Sequence, residues 1–276
     1  MIATLLAISL QAQPVIPPIG ELLDCAREAD ATLVAIHRAG GFAPGIPENS
    51  LAGIRAAGEM GAAMVEIDLR LSSDGHVVLM HDRTLDRTTN GTGNVADHTL
   101  EELRALRLED ANGRRTNQLI PTLSEAFEAA RAAGVYLELD LKEIGPGEAA
   151  RLAVEAGMAS QSMIIVYDVA DADPIQAVTT DIGISLPFTD HDEVLSSELD
   201  VSGLMSWVGR GVPDAHTEYF LTGQGIETAM HDFPGEEAGT IDYAFIDERH
   251  IEVLATDDPE AALAAFGPWQ RYCGIE

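Results

Sequence analysis

The feature that most limits what this chain can become is an alternation. Short β-branched, apolar runs take turns with alanine-rich helical stretches. After "GELLDCAREAD", which reads as a helix, come "TLVAIHRA" (32–39) and a helix from Asn49 to about Gly61. "MVEIDLRL" is a strand and "VVLMHD" its short extended sequel. Next come the helix "LSEAFEAARAAG", which stops on glycine, the strand "VYLELDLK" and the helix "GEAARLAVEAG". The rhythm continues more faintly through "SMIIVYDV", "GISLPF", "GLMSWVG", "IETAMHDF" and "IEVLATD", with "PEAALAAF" last. Counting "MVEIDLRL" and its sequel as one gives eight strands. Regular alternation implies parallel strands joined by crossover helices. Eight such repeats point to an α/β fold, a (β/α)8 TIM barrel over residues 20–276. A doubly wound open sheet is the alternative, but no glycine-rich nucleotide turn follows the first strand. The polar, turn-rich stretch from about 83 to 118 reads as an insertion between the second strand and its helix.

Charge narrows the partners. There are 46 acidic residues against 16 basic ones, a net charge of −30. Such a surface repels nucleic acid and anionic lipid, so neither is expected as a partner. An anionic small molecule is compatible only where positive charge or a metal is concentrated. Of the basic residues, 15 are arginine and one, Lys142, is lysine. The opening "MIATLLAISLQA" (1–12) reads as a short secretory signal cleaved after Ala12, though it lacks a positive n-region. On that reading the mature protein is periplasmic or secreted; otherwise it is cytoplasmic. No later run reaches the about 18 apolar residues of a membrane span. Cys25 and Cys273 are too far apart in sequence for a metal motif. The ends of a closed barrel are neighbours, so a disulfide between them is expected if the chain is exported.

Side chains alternate along a strand, so Glu66 and Asp68 share a face, and so do Glu138, Asp140 and Lys142. Barrel sites lie at the C-terminal ends of the strands. His37 and Arg38 end the first strand, Glu66 and Asp68 the second, Asp140 and Lys142 the third. His81 follows from the short sequel of the second. Each feature alone has an ordinary explanation as a solvated face or a satisfied rim residue. Packing does not explain them together, because inward-facing acids cost free energy unless something pairs them. A hard divalent cation, Mg2+ or Ca2+, does so through oxygen ligands. No HExxH or CxxC zinc spacing occurs.

These residues also carry a resemblance. "HRAGGFAPGIPENS" followed by "VEIDLRLSSDGHVVLMHDRTLDRTTNGTG" resembles the glycerophosphodiester phosphodiesterase family, with its HRG, PENT, ExD and "DG..VV.HD..L.RTT..G" motifs. "IPTLSEAF" is similar to the family's "IPTLEE", and "ATDDP" to its closing TD-x-P. The likeness is dense from residue 36 to 142. It implies a metal-dependent enzyme that cleaves small-molecule glycerophosphodiesters to glycerol 3-phosphate and an alcohol such as choline or ethanolamine. Glu66, Asp68 and Asp140 are then the metal ligands, and Arg38 and Lys142 hold the phosphate. His37 and His81 share proton transfer. Glu48 supports the metal or binds a glycerol hydroxyl. The base activates either the glycerol's own hydroxyl, giving a cyclic phosphate that water opens, or water directly. A sphingomyelinase-type phospholipase D and a barrel that binds phosphodiester or metal without turnover are the alternatives. Four departures stand out. HRG reads His37-Arg38-Ala39, and PENT reads PENS. The usual glutamate two before the lysine is Asp140, shorter in reach by roughly 1.5 Å, so the metal shifts, Asp140 binds through water, or Glu138 substitutes. "AMHDF" stands where the family carries a tryptophan motif on its seventh strand.

Overall fold

Parallel pairing closes the sheet on itself. The computed structural model describes residues 15–188 and 196–274, so the expected signal peptide lies outside the described residues. The described strands are β1 (Leu33–Ile36), β2 (Met64–Leu71), β3 (Val77–Leu79), β4 (Tyr136–Leu141), β5 (Ser162–Ile165), β6 (Gly183–Leu186), β7 (Leu204–Arg210), β8 (Glu227–His231) and β9 (Val253–Thr256). Parallel neighbours run β1, β2, β4, β5, β6, β7, β8, β9, and β9 returns to β1. The ring is an eight-stranded (β/α)8 barrel. β3 is outside it, antiparallel to β2, with Leu69 opposite Leu79. The extended run "VVLMHD" therefore doubles back on β2 instead of prolonging it.

Helices α1 (Ile19–Glu28), α2 (Leu51–Met60), α3 (Leu100–Arg104) and α4 (Leu123–Ala133) lead the helical set. Their ends follow from local chemistry. The Ser50 hydroxyl caps α2 by accepting from the Gly53 N–H at 3.0 Å. Thr122 and Glu125 form a capping box on α4, and Gly134 ends it in the left-handed region at φ 67°. The stretch 83–118 holds α3 and its own apolar cluster, in which Leu85, Val95, Leu103 and Leu108 pack on Val78 and Met80.

Two cores result from the period-two pattern of the strands. Outward residues such as Val65, Ile67, Leu137, Leu139 and Ile164 pack against the helices. Inward residues Leu33, Ala35, Met64, Tyr136, Met163, Met205, Ala229 and Val253 fill the barrel's N-terminal end. α1 plugs that end with Ile19, Leu22, Leu23 and Ala26, all at most 1% exposed. The acids of β2 and β4 sit above this plug.

Cys25 of α1 and Cys273 of the last helix, Gln270–Cys273, form a disulfide with Cα atoms 5.8 Å apart. It ties the plug to the chain's far end across 248 residues. Cross-linking over so long a loop restricts the unfolded chain. Reduction should cost about 2–4 kcal/mol, read as a lower midpoint in scanning calorimetry with and without reductant. An unchanged midpoint in protein whose thiols titrate as free would show that the plug holds without the link.

Candidate active site

β2 and β4 pair in register, Glu66 opposite Glu138 and Asp68 opposite Asp140. Because both strands are parallel and inward positions alternate, four carboxyl groups face the barrel interior in two layers. Oxygens of Glu66, Asp68 and Asp140 come within 4.8 Å of one another, and all three residues are buried. Glu138 is outside that group. It is 2% exposed, and burial, partly opposed by the Ser185 hydroxyl, pushes its carboxyl up to about 7.

The motif around Asn49 builds the acid layer. Asn49 Nδ2 donates to Asp68 Oδ2 at 2.7 Å, and the Asp68 N–H donates to Asn49 Oδ1 at 2.9 Å. This two-way clamp fixes Asp68, and Asn49 holds φ 52° to make it. Glu66 accepts the Arg38 backbone N–H on Oε2 at 2.8 Å. To present that N–H, the chain leaves β1 at Ile36 and turns through Arg38 (φ 53°) and Ala39 (φ 42°). Both are left-handed, which explains why a glycine suits the third motif position occupied by Ala39. Glu66 Oε1 is buried without a hydrogen-bond partner among the described residues. Burial first, then the charge of Asp68, holds the Glu66 carboxyl well above the usual range.

Lys142 brackets the outer layer. Its Nζ is 3.0 Å from Asp68 Oδ1 and also donates to Asp140 Oδ2. Although burial lowers its basicity, the hydrogen bond to Asp140 and the charge of Asp68 raise it above the usual value. The Tyr167 hydroxyl donates to Asp140 Oδ1 at 3.2 Å.

Both histidines reach the same rim. His37 Nδ1 is 2.9 Å from Asp257 Oδ1, and its Nε2 is 4.0 Å from Glu66 Oε2. The β2–β3 hairpin returns the chain beside Asp68, whose carbonyl accepts the Met80 N–H at 3.0 Å. This delivers His81, and Arg70 donates Nε and Nη2 to the His81 carbonyl at 3.0 and 2.7 Å. His81 Nδ1 is 2.7 Å from Asp82 Oδ1. In each histidine a carboxylate engages Nδ1 and leaves Nε2 for other partners. Glu48 sits beside this rim on the loop after β1. It takes two hydrogen bonds from Arg87, at 2.7 and 2.8 Å, and is 3.7 Å from Arg38 Nη1.

A cavity of about 130 Å3 joins these groups. His37, Glu66, Asp68, His81 and Asp140 line one half, and Ile165, Tyr167, Pro187, Trp207 and Phe233 the other. Phe233 stacks on His37 with centroids 4.5 Å apart, and His231 stacks on Trp207 at 5.4 Å. The aromatic wall thus comes from Trp207 on β7 and from Phe233 just after β8, in the absence of a tryptophan on β8.

Sequence reading alone placed the acids, Lys142 and both histidines on this rim, and the structure brings them together. It did not assign roles to Asn49, Arg70, Asp82, Arg87, Trp207, Phe233 or Asp257. Asn49, Asp82, Arg87 and Asp257 lie in the quoted motifs, which was the available signal. Phe233 closes the "AMHDF" that stands in place of the tryptophan motif, and Trp207 lies in none of those motifs.

A (β/α)8 barrel whose rim gathers an acid triad and two carboxylate-backed histidines is the class of protein that the fold and the site define. Within that class, the chain belongs to the glycerophosphoryl diester phosphodiesterase family, whose model matches residues 37–212. It is 42% identical over 112 residues to a glycerophosphodiester phosphodiesterase of Caldanaerobacter subterraneus subsp. tengcongensis, a match covering 40% of this chain and 45% of that one. It is 44% identical over 117 residues to glycerophosphodiester phosphodiesterase 1 of Bos taurus, covering 41% and 34%. The chain thus spans less than half the length of these curated relatives. The crystal structure of a glycerophosphoryl diester phosphodiesterase from Parabacteroides distasonis is similar with TM-score 0.81 at 28% identity, covering 92% of this chain and 93% of that one.

Proposed function

We propose that this chain is a divalent-cation-dependent phosphodiesterase that hydrolyses glycerophosphodiesters to glycerol 3-phosphate and an alcohol. The observation that carries the reading is the convergence of the Glu66–Asp68–Asp140 triad and both histidines on one cavity. The donor set fits a hard cation. All three donors are carboxylate oxygens, and Glu66 Oε1 is buried and unpartnered. Bound there, Mg2+ or Ca2+ supplies charge neutralisation and polarisation of the phosphoryl oxygens. The chain's own groups do the rest. Arg38 Nε is buried with no partner among the described residues and can donate to a phosphate oxygen. Lys142 adds a compact positive charge. His37 and His81, each with Nδ1 on a carboxylate, exchange protons through Nε2 as base and acid. The apolar half of the cavity receives the organic part of the substrate.

The barrel, residues 20–276, carries the activity, and the insertion about 83–118 supplies Arg87 to its rim. Among the described residues no helix is long and apolar enough to cross a membrane. The disulfide supports export to the periplasm or beyond, because cytosolic thiols are kept reduced.

The test is turnover of glycerophosphocholine by purified protein with Mg2+ or Ca2+, and without metal after chelation. Release of glycerol 3-phosphate that depends on the cation is expected. Release of phosphocholine, or no product with either metal, overturns the reading.

Lys142 gives a separate prediction. Lys142→Met should lower kcat/KM by at least about 100-fold, the scale of removing one preorganised charge donor. Lys142→Arg should not recover more than about a tenth of wild-type activity, because the larger fork does not fit between two buried carboxylates. Steady-state kinetics with glycerophosphocholine decide it. Wild-type rates in Lys142→Met would leave the phosphate to Arg38 and the cation.

A further inference from the structure

Arg87 belongs to the "RTT" of the insertion, and nothing in the proton-transfer scheme above uses it. Its guanidinium nonetheless makes four hydrogen bonds to carboxylates. Nε and Nη2 donate to Asp82 Oδ2 and Oδ1 at 2.7 and 3.0 Å. Nη1 and Nη2 donate to Glu48 Oε2 and Oε1 at 2.7 and 2.8 Å. One cation therefore joins three rim segments: the loop after β1, the turn after β3 and the insertion.

Asp82 is the carboxylate behind His81, so Arg87 and His81 share its Oδ1. Among the described residues the partner of His37 has no arginine bonded to it. Asp257, with a side chain 54% exposed, takes only His37 among the described side-chain cations. The two histidines thus stand on carboxylates of different effective charge. An unneutralised aspartate stabilises an imidazolium and raises its basicity. An aspartate already paired with arginine does so less. Hydrogen bonding from Arg87 holds the Asp82 carboxyl well below the usual range, so it stays ionised under the pair.

We propose that Arg87 is a positioning residue that sets the basicity of His81 through Asp82 and holds Glu48 in the same bracket. The inference deepens the phosphodiesterase reading, but its first test does not depend on that reading. The groups facing His81 are Asp82 and, behind it, Arg87. Arg70 holds the His81 carbonyl, and His37, Glu66, Asp68, Glu138, Asp140 and Tyr167 share its cavity.

The test is the titration of His81 in the metal-free protein, followed by NMR of its ring protons and assigned with a His81→Gln control. Arg87→Gln removes the charge from Asp82 and should move the His81 midpoint upward by about 0.5–1 pH unit, allowing for partial exposure. Asp82→Asn removes the anion and should move it downward. Arg87→Lys keeps the charge at one contact point, so the midpoint should change by less than about 0.3 units. It should still lower turnover of glycerophosphocholine. If Arg87→Gln does not fold, Asp82→Asn and Arg87→Lys carry the same comparison. A purely structural bracket would lower stability in all three variants without opposite shifts. Midpoints of Arg87→Gln and Asp82→Asn that agree with wild type within about 0.2 units overturn the proposal. If the shifts appear but wild-type protein cleaves no glycerophosphodiester, the bracket stands and the assigned activity fails.

Discussion

Asp68→Asn should lower turnover at saturating Mg2+ or Ca2+ by at least about 1,000-fold, since a metal site contributes several kcal/mol of charge stabilisation. Asp68 is the central member of the triad. It lies between Glu66 and Asp140 in the register of β2 and β4, is 1% exposed, and meets Lys142 directly. The asparagine keeps the shape, and with its Oδ1 in place of Asp68 Oδ2 it keeps the reciprocal contact with Asn49, but its NH2 then faces Lys142 Nζ. What it loses is the charge and the contact with Lys142. The fold should survive, because relief of repulsion among the crowded acids offsets the lost contact with Lys142. Circular dichroism, a melting curve and a Mn2+-binding isotherm separate the effects. A variant that folds, binds Mn2+ as wild type does, and keeps more than about a tenth of the activity would remove Asp68 from the ligand set.

The barrel was readable because its physical signal is local and repeated. Period-two apolar runs such as "MVEIDLRL" and capped helices such as "TLSEAFEAARAAG" each specify an element without help from the rest of the chain. The same period placed Glu66 with Asp68, and Asp140 with Lys142, on inward faces. Two kinds of information were not local. One was strand direction. "VVLMHD" has the composition of a strand whether it continues β2 or folds back on it, and only the pairing of Leu69 with Leu79 decides. The other was charge partnership across loops. Glu48 sits in a motif beside the rim, and nothing local in that motif marks its charge partner. Its partner, Arg87, is 39 residues away and arrives through the insertion. Asp257 likewise meets His37 across 220 residues, at the seam where β9 returns to β1. The aromatic wall was hidden for a related reason. Trp207 and Phe233 are ordinary strand and loop aromatics in sequence, and they converge only because β7 and β8 curve around one cavity.

His37→Ala and His81→Ala should each reduce the rate by at least about 100-fold, and the double variant should be little worse than the poorer single one. Proton transfer by a positioned group contributes about that much or more, and groups acting as one unit do not give multiplying losses. The geometry supports a unit. Both side chains line the same cavity as the acid triad, and each has Nδ1 on a carboxylate. One removes a proton while the other delivers one, so losing either stalls the same cycle. His37→Ala carries a complication, because Phe233 stacks on the imidazole and would lose its support. His37→Gln fills more of that space and accepts from neighbours, yet cannot shuttle a proton near neutral pH. If packing were the whole contribution of His37, the glutamine variant would recover most of the rate. Recovery below about a tenth, with a wild-type melting point, assigns the loss to proton transfer. A loss smaller than about fivefold in either alanine variant removes that histidine from the chemistry and leaves the other as sole acid–base group.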